Sequence, residues 1–127
     1  CSSDLLKSYP DLKVIVSPSS VGIVAAAQAV KDQGKIGKVY VTGLGLPSEM
    51  AGAIKSGASK SFAIWNPIDL GYAATYLADD LVKGTATKTE ASMGKLGKVK
   101  LDAEGNGAMA KPFVYDASNI DKFSKIF

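Results

Sequence analysis

The sequence predicts an α/β fold in which a parallel sheet carries helices on both faces. Three short apolar runs rich in β-branched and aromatic residues begin at positions 12, 38 and 61, and a segment with helical spacing of apolar residues follows each one. Strand–helix–strand connections of this kind are right-handed, so the strands run parallel and the helices cover the sheet. The pattern predicts a βαβαβα unit, followed by a carboxy-terminal hairpin and a last helix.

The first strand and helix are delimited by a proline, two serines and a glycine. Residues 12–17 (LKVIVS) are predicted to form a buried strand, which Pro18 ends. Ser19 or Ser20 caps the next helix, because a serine oxygen accepts hydrogen bonds from the free N–H groups of a first turn. Gly34 then ends that helix in the left-handed conformation.

The second and third strands follow the same plan. Residues 38–43 (KVYVTG) form the second strand, Pro47 opens the second helix and Gly57 ends it. Residues 61–65 (SFAIW) form the third strand. Because ligands bind beyond the carboxyl ends of the strands in such sheets, the loops after them are the candidate site.

The third helix has the clearest start and end signals in the chain. Asn66 is a strong N-cap residue, and Pro67 at the first helical position loses no N–H group that the helix needs. Gly84 ends the helix. One apolar stripe is predicted along it: Leu70, Ala73, Ala74, Leu77 and Leu81.

The chain becomes polar and rich in lysine and glycine after position 84. Residues 98–101 are predicted to form a short strand, and residues 102–107 (DAEGNG) have turn chemistry. We therefore expect a hairpin between residues 98–101 and residues 111–115. Asp116 or Ser118 is expected to cap the last helix.

The absent residue types exclude several kinds of chemistry. The 127 residues include no histidine, all fifteen basic residues are lysine, and Cys1 is the only cysteine. Histidine-dependent catalysis, histidine-ligated metals, intrachain disulfides and arginine clamps on phosphate are excluded. The net charge of +3 is spread along the chain, which argues against a nucleic-acid-binding protein. We expect no catalytic residues, no metal ligands and no cofactor.

Two partial motifs are better explained as loops. Gly43 and Gly45 resemble a dinucleotide-binding turn, but Ser48 stands where the third glycine belongs. Residues 92–95 (SMGK) match the S-x-x-K motif of penicillin-recognising enzymes, although a glycine inside it suits a helix poorly. Both matches are weak, and backbone turns explain the glycines.

The candidate loops carry residues that suit a neutral ligand. Trp65 ends the third strand, where its ring either stacks on an apolar ligand face or packs beneath the next helix. The Asn66 amide either binds hydroxyl groups or serves as the N-cap. The serines at 17, 19 and 20 offer hydroxyl groups, and the sequence does not separate their roles.

Four motifs occur in order along these loops: residues 9–13 (YPDLK), 17–23 (SPSSVGI), 41–50 (VTGLGLPSEM) and 64–72 (IWNPIDLGY). Together they resemble periplasmic sugar-binding proteins of bacterial ABC importers, and most of all the rhamnose-binding and autoinducer-2-binding group of the type I fold. The resemblance covers about residues 5–84.

The resemblance implies a non-enzymatic solute-binding protein with two α/β lobes and a ligand cleft between them. Such proteins work in the periplasm, or outside the cell in association with the membrane, and deliver their ligand to a permease. The ligand implied here is a small neutral sugar or an autoinducer-2-like furanone. The implied ligand-binding residues are Ser17, Pro18, Ser20, Leu44, Gly45, Trp65 and Asn66, the last two near a hinge crossing.

Members of this family are more than twice as long as this chain. Residues 1–127 therefore correspond to part of the carboxy-terminal lobe of a type I periplasmic binding protein, with residues 85–127 as its hairpin and terminal helix. The helix at 67–84 is expected to pack on the missing amino-terminal lobe, or on a second copy of the chain. Cys1 is either the lipidated start of a lipoprotein or a fragment boundary.

A ligand-sensing domain of a LacI-type transcription regulator is the alternative function. Those regulators share the type I fold, so fold alone does not separate the two functions. A small nucleotide-binding enzyme is a third and weaker hypothesis.

Overall fold

The computed structural model describes residues 2–127, which fold into two compact units. Unit 1 contains residues 2–64 and 114–127, and unit 2 contains residues 65–113. The lipidation hypothesis for Cys1 lies outside the described residues. In the described part of the chain, no helix combines the length and the apolar character needed to cross a membrane.

The order of helices and strands agrees with the predicted alternation and adds elements at both ends. A 3₁₀ turn also connects β4 to β5. The elements are α1 (Ser2–Ser8), β1 (Val14–Ser17), α2 (Ser20–Asp32), β2 (Tyr40–Gly43), α3 (Pro47–Ser56), β3 (Ser61–Ile64), α4 (Pro67–Lys83), β4 (Glu90–Ser92), the 3₁₀ turn (Gly94–Leu96), β5 (Lys98–Lys100), β6 (Phe113–Asp116) and α5 (Ile120–Phe123).

The sheet of unit 1 begins with β1 and β2, which pair in parallel as expected. Ser17 stands opposite Gly43 at the carboxyl ends of the two strands. A parallel bridge between Leu44 and Ala63 continues the pairing towards β3, and β3 is the neighbour of β6. The parallel arrangement is thus present in the β1–β2 pair, and helices connect β1 to β2 and β2 to β3.

The core of unit 1 forms where the apolar faces of α2 and α3 meet the strands. Ile23 and Met50, one from each helix, are completely buried together with Val41 of β2. Phe62 of β3 stacks on Tyr115 of β6, with 5.4 Å between ring centroids. The helical spacing of apolar residues after the first two strands therefore reflects one buried face on each of α2 and α3.

Most of the predicted helix ends are correct. Ser19 rather than Ser20 is the N-cap of α2, and its hydroxyl accepts a hydrogen bond from the Gly22 N–H group at 3.4 Å. Asn66 caps α4, because its Oδ1 atom accepts from the Ile68 N–H group at 3.0 Å. Gly84 ends α4 in the left-handed conformation with φ +69°.

Unit 2 has its own small core, formed where α4 packs against the β4–β5 pair. The two strands are antiparallel, with Ala91 opposite Val99. Those two side chains are buried with Ala73 of α4 and with Met93. One face of α4 is therefore covered within its own unit.

The predicted hairpin between residues 98–101 and 111–115 is wrong. β5 pairs with β4, a strand that the sequence analysis did not predict, and β6 pairs with β3. Glycines with positive φ at 94 and 97 reverse the chain directly before β5, so β4 is its nearest partner. Residues 85–127 consequently do not stay together, since 114–127 belong to unit 1.

The predicted cap of the last helix is also wrong. Asn119 occupies the N-cap position of α5, without a side-chain hydrogen bond to the helix. The Asp116 carboxylate instead accepts hydrogen bonds from the Ser118 N–H group and hydroxyl at 2.8 and 2.6 Å. Both side chains are used in the turn before the helix, which lowers the pKa of Asp116.

Candidate ligand-binding site

The loops after β1 and β2 meet at one edge of the unit 1 sheet. The Leu44 N–H group donates a 2.9 Å hydrogen bond to the carbonyl oxygen of Ser17, directly beyond the last paired residues. The predicted residues Ser17, Pro18, Ser20 and Leu44 therefore lie along the same edge. This is the position at which sheets of this kind bind ligands.

Gly43 allows the two loops to approach this closely. Its φ of +135° is rarely adopted by residues with a side chain, and an ideal Cβ atom would overlap the carbonyl oxygen of Ser17. Glycine is required here both by backbone conformation and by the lack of space. The glycines that suggested a nucleotide-binding turn thus have a structural explanation at this position.

The structure separates the roles of the three serines. The Ser17 hydroxyl donates to the carbonyl oxygen of Ser19 at 3.2 Å, and the Ser19 hydroxyl caps α2. The Ser20 hydroxyl, by contrast, makes no hydrogen bond to any of residues 2–127, and Ser20 is half-buried. Ser20 is therefore the serine whose hydroxyl is available as both donor and acceptor.

The two residues predicted to line the site from the second loop differ in position. Leu44 is half-buried, so part of its side chain faces solvent. Gly45 is buried, its N–H group donates to the Ala63 carbonyl oxygen at 3.2 Å, and a Cβ atom on it would lie only 3.0 Å from Met50 and 3.1 Å from Ile23. Gly45 thus supports the loop from the core side, and its predicted contact with ligand stays a prediction.

Trp65 and Asn66, the other two predicted site residues, belong to unit 2. The Trp65 Nε1–H group donates a 2.7 Å hydrogen bond to the Ala110 carbonyl oxygen. An open apolar pocket of about 250 Å³ adjoins the indole and is lined by Leu70 and residues 107–110. Trp65 is half-buried, which is compatible both with stacking on a ligand and with packing beneath α4.

The oxygen and the nitrogen of the Asn66 amide both make hydrogen bonds within the first turn of α4. Its Oδ1 atom caps α4, and its Nδ2–H group donates to Asp69 Oδ2 at 3.0 Å. One N–H of the amide stays available, because Nδ2 carries two protons. A ligand contact by Asn66 would therefore have to be made by a side chain that already holds the helix.

The sequence analysis missed two features around these residues. It did not identify residues 107–110 as the partner of the indole, and no local pattern marks a contact across forty-five positions. It also did not identify the second boundary between the units. The chain passes from unit 1 to unit 2 after Ile64 and returns after Phe113.

Two aspartates of α4, outside these loops, make structural contacts. The Ser92 N–H group donates to Asp80 Oδ2 at 2.6 Å, and this bond, with another from the Thr85 hydroxyl, lowers the pKa of Asp80. Asp79 pairs with Lys83 at 2.9 Å on the exposed side of α4. In residues 2–127, no group of three or more metal-ligating side chains is close enough to hold a metal ion.

A family model supports the resemblance seen in the motifs. Residues 2–86 match the model of a periplasmic binding protein domain. The match includes every candidate site residue.

Solved structures of transporter proteins have the same fold as this chain. A sugar ABC transporter protein from Actinomyces odontolyticus is 38% identical, with a TM-score of 0.76 over 96% of this chain and 40% of that one. A solute-binding protein from Clostridium phytofermentas, solved with bound L-rhamnose, is 37% identical, with a TM-score of 0.84 over 99% of this chain and 44% of that one.

A third structure, LsrB from Clostridium saccharobutylicum in complex with AI-2, shares the fold at 17% identity and a TM-score of 0.79, over 96% of this chain and 43% of that one. The chain thus spans less than half the length of each of these proteins.

Proposed function

Because the chain belongs to the periplasmic binding protein domain family, we propose that it is part of the solute-binding component of an ABC importer. The complete protein binds a small neutral sugar or an autoinducer-2-like furanone and delivers it to a membrane permease. It is not an enzyme. The observation that carries this proposal is the meeting of the loops after β1 and β2 at one sheet edge, where Leu44 is bonded to Ser17.

The side chains on these loops favour a neutral ligand. None of the seven candidate residues carries a charge, and the chain has no arginine or histidine with which to bind a carboxylate or phosphate strongly. Serine hydroxyls and an asparagine amide instead match the hydroxyl groups of a sugar. A site built from such groups rejects ligands that leave its buried polar atoms unpaired.

The length of the similar structures supports a two-lobe protein of which this chain supplies one part. We assign unit 1 to the carboxy-terminal lobe and extend its parallel sheet from β1 and β2 to β3. The α4 helix packs on the other lobe, or on a second copy when the chain is alone. The complete protein works in the periplasm or outside the cell in association with the membrane.

The alternative, a ligand-sensing domain of a LacI-type regulator, has less support. The two solved structures that are 38% and 37% identical to this chain are both ABC transporter proteins. A regulator would bind its ligand with the same fold, so the two functions differ in location and partner rather than in the site.

Isothermal titration calorimetry of the complete protein tests the ligand class. The panel contains L-rhamnose, further neutral sugars and autoinducer-2, with D-glucuronate and D-glucosamine as charged controls. We expect saturable heats from at least one neutral ligand and none from the charged sugars. Flat heats for every neutral ligand would refute the proposal.

A further inference from the structure

We infer that Gly22 is a positioning residue for ligand binding, and that it acts through the hydroxyl of Ser17 on the loop that carries Pro18 and Ser20. The inference rests on the proposed function. Gly22 lies in the first turn of α2, directly after this loop. It was not among the residues predicted to form the site.

The Ser17 hydroxyl lies close to Gly22 because glycine has no side chain to occupy that space. An ideal Cβ atom on Gly22 would lie 2.6 Å from Ser17 Oγ, but 3.8 Å from Ser17 Cβ and 3.6 Å from Ser19 Cβ. Only the hydroxyl oxygen of Ser17 therefore stands where a larger residue would extend. The backbone of Gly22 does not have a positive φ, so an alanine is compatible with its conformation.

The position of the Ser17 hydroxyl determines the shape of the loop. It donates its only proton to the Ser19 carbonyl oxygen at 3.2 Å, which closes the loop around Pro18. With that proton used, Ser17 Oγ can only accept a hydrogen bond from a ligand hydroxyl, whereas Ser20 can donate as well. Gly22 thus leaves room for the Ser17 hydroxyl to remain a fixed acceptor on the loop that also carries Ser20.

Replacing Gly22 by alanine should change this arrangement without unfolding α2. Rotation of the Ser17 hydroxyl relieves the overlap, and rotation breaks its bond to Ser19. Alanine is also the better helix former, so the helix itself gains stability. The substitution therefore separates an effect on ligand binding from an effect on folding.

The test is a double-mutant cycle on the complete protein, with binding of L-rhamnose (or of the panel sugar that binds the wild type) measured by calorimetry. We expect Gly22→Ala and Ser17→Ala each to weaken binding about 3- to 10-fold, the range of one lost hydrogen bond. Adding Gly22→Ala to Ser17→Ala should cause no further loss. The control Gly52→Ala changes a helical glycine with no atom near its Cβ position, and it should bind like the wild type.

Three results would contradict the inference. If Gly22→Ala binds as tightly as the wild type, or if the two single losses add in full in the double variant, Gly22 does not act through Ser17. If the wild type itself binds none of the neutral ligands, the proposed function fails and the inference fails with it. Circular dichroism of each variant confirms that the helices are intact.

Discussion

The indole N–H of Trp65 and the carbonyl oxygen of Ala110 are joined by a 2.7 Å hydrogen bond across forty-five residues of sequence. The bond fixes the edge of the ring to the segment 107–110. With its only proton donor used, the indole can offer a ligand its aromatic face but no hydrogen bond. Any contribution of Trp65 to binding is therefore stacking.

Substitution of Trp65 tests this stacking role. Trp65→Ala should weaken binding of the neutral ligand about 2- to 10-fold, the range of one aromatic contact, and Trp65→Phe should lose less because it keeps a ring. Calorimetry on the complete protein measures both. Equal affinity for Trp65→Ala and the wild type would assign Trp65 to packing alone.

Asn66 is expected to affect helix stability and ligand binding separately. Asn66→Ala removes the cap of α4 and should lower the free energy of unfolding by about 1 kcal/mol, whereas Asn66→Ser keeps a capping oxygen and should change it little. If the amide also contacts the ligand, both variants bind more weakly. Urea unfolding measures the effect on stability and calorimetry measures the effect on binding. Normal binding by Asn66→Ser would show that Asn66 acts only as the cap of α4.

Asp80 should make the stability of unit 2 depend on pH. The N–H group of Ser92 lowers the pKa of this carboxyl in the folded chain. A group whose folded pKa is depressed stabilises the fold above its unfolded value of about 3.9, and this stabilisation is lost as the pH falls through the folded pKa. Urea unfolding followed by Trp65 emission should therefore show a less stable unit at pH 3 than at pH 7.

Variants of the two adjacent aspartates provide the matched comparison for this pH dependence. Asp80→Asn should lower stability at pH 7 and reduce the difference between the two pH values. Asp79→Asn removes only an exposed ion pair with Lys83 and should behave nearly like the wild type. If Asp80→Asn keeps the full difference, the acid sensitivity originates in other carboxyl groups.

The 127-residue chain alone should self-associate through α4. Leu81 and Val82 are 69% and 87% exposed at the end of this helix, and apolar side chains exposed together promote association. Sedimentation coefficients should rise with concentration, and Leu81→Lys should reduce the rise. Thr75→Lys, at an exposed polar position of the same helix, is the control. A monodisperse monomer at every concentration would contradict the expectation.

The features that the sequence predicts correctly depend on neighbouring residues. The N-caps at Ser19 and Asn66 and the left-handed ends at Gly57 and Gly84 are decided within one helical turn. The first three strands are also found, because their β-branched and aromatic residues favour strands. The expected burial of the first strand is wrong, since Val14 and Val16 are exposed and only Ile15 is buried. Local chemistry is sufficient for these elements.

The features that the sequence does not predict depend on distant residues. β4 (Glu90–Ser92) has too few residues to show a pattern, and β6 joins β3 because Tyr115 stacks on Phe62. The different roles of the loop serines also depend on the folded conformation. Which serine keeps a free hydroxyl is decided by how the loop folds, since Ser17 bonds to Ser19 only in that conformation.

The division of unit 1 into two chain segments has a consequence for synthesis. Residues 2–64 leave the ribosome before unit 2, yet Tyr115, one of the most buried side chains of their core, follows only after all of unit 2. Unit 1 therefore cannot complete its aromatic cluster until residues 114–127 are made, whereas unit 2 is continuous and can form earlier. A nascent chain that stalls before Tyr115 would expose Phe62, so the synthesis of unit 2 is the period in which unit 1 is most vulnerable to aggregation.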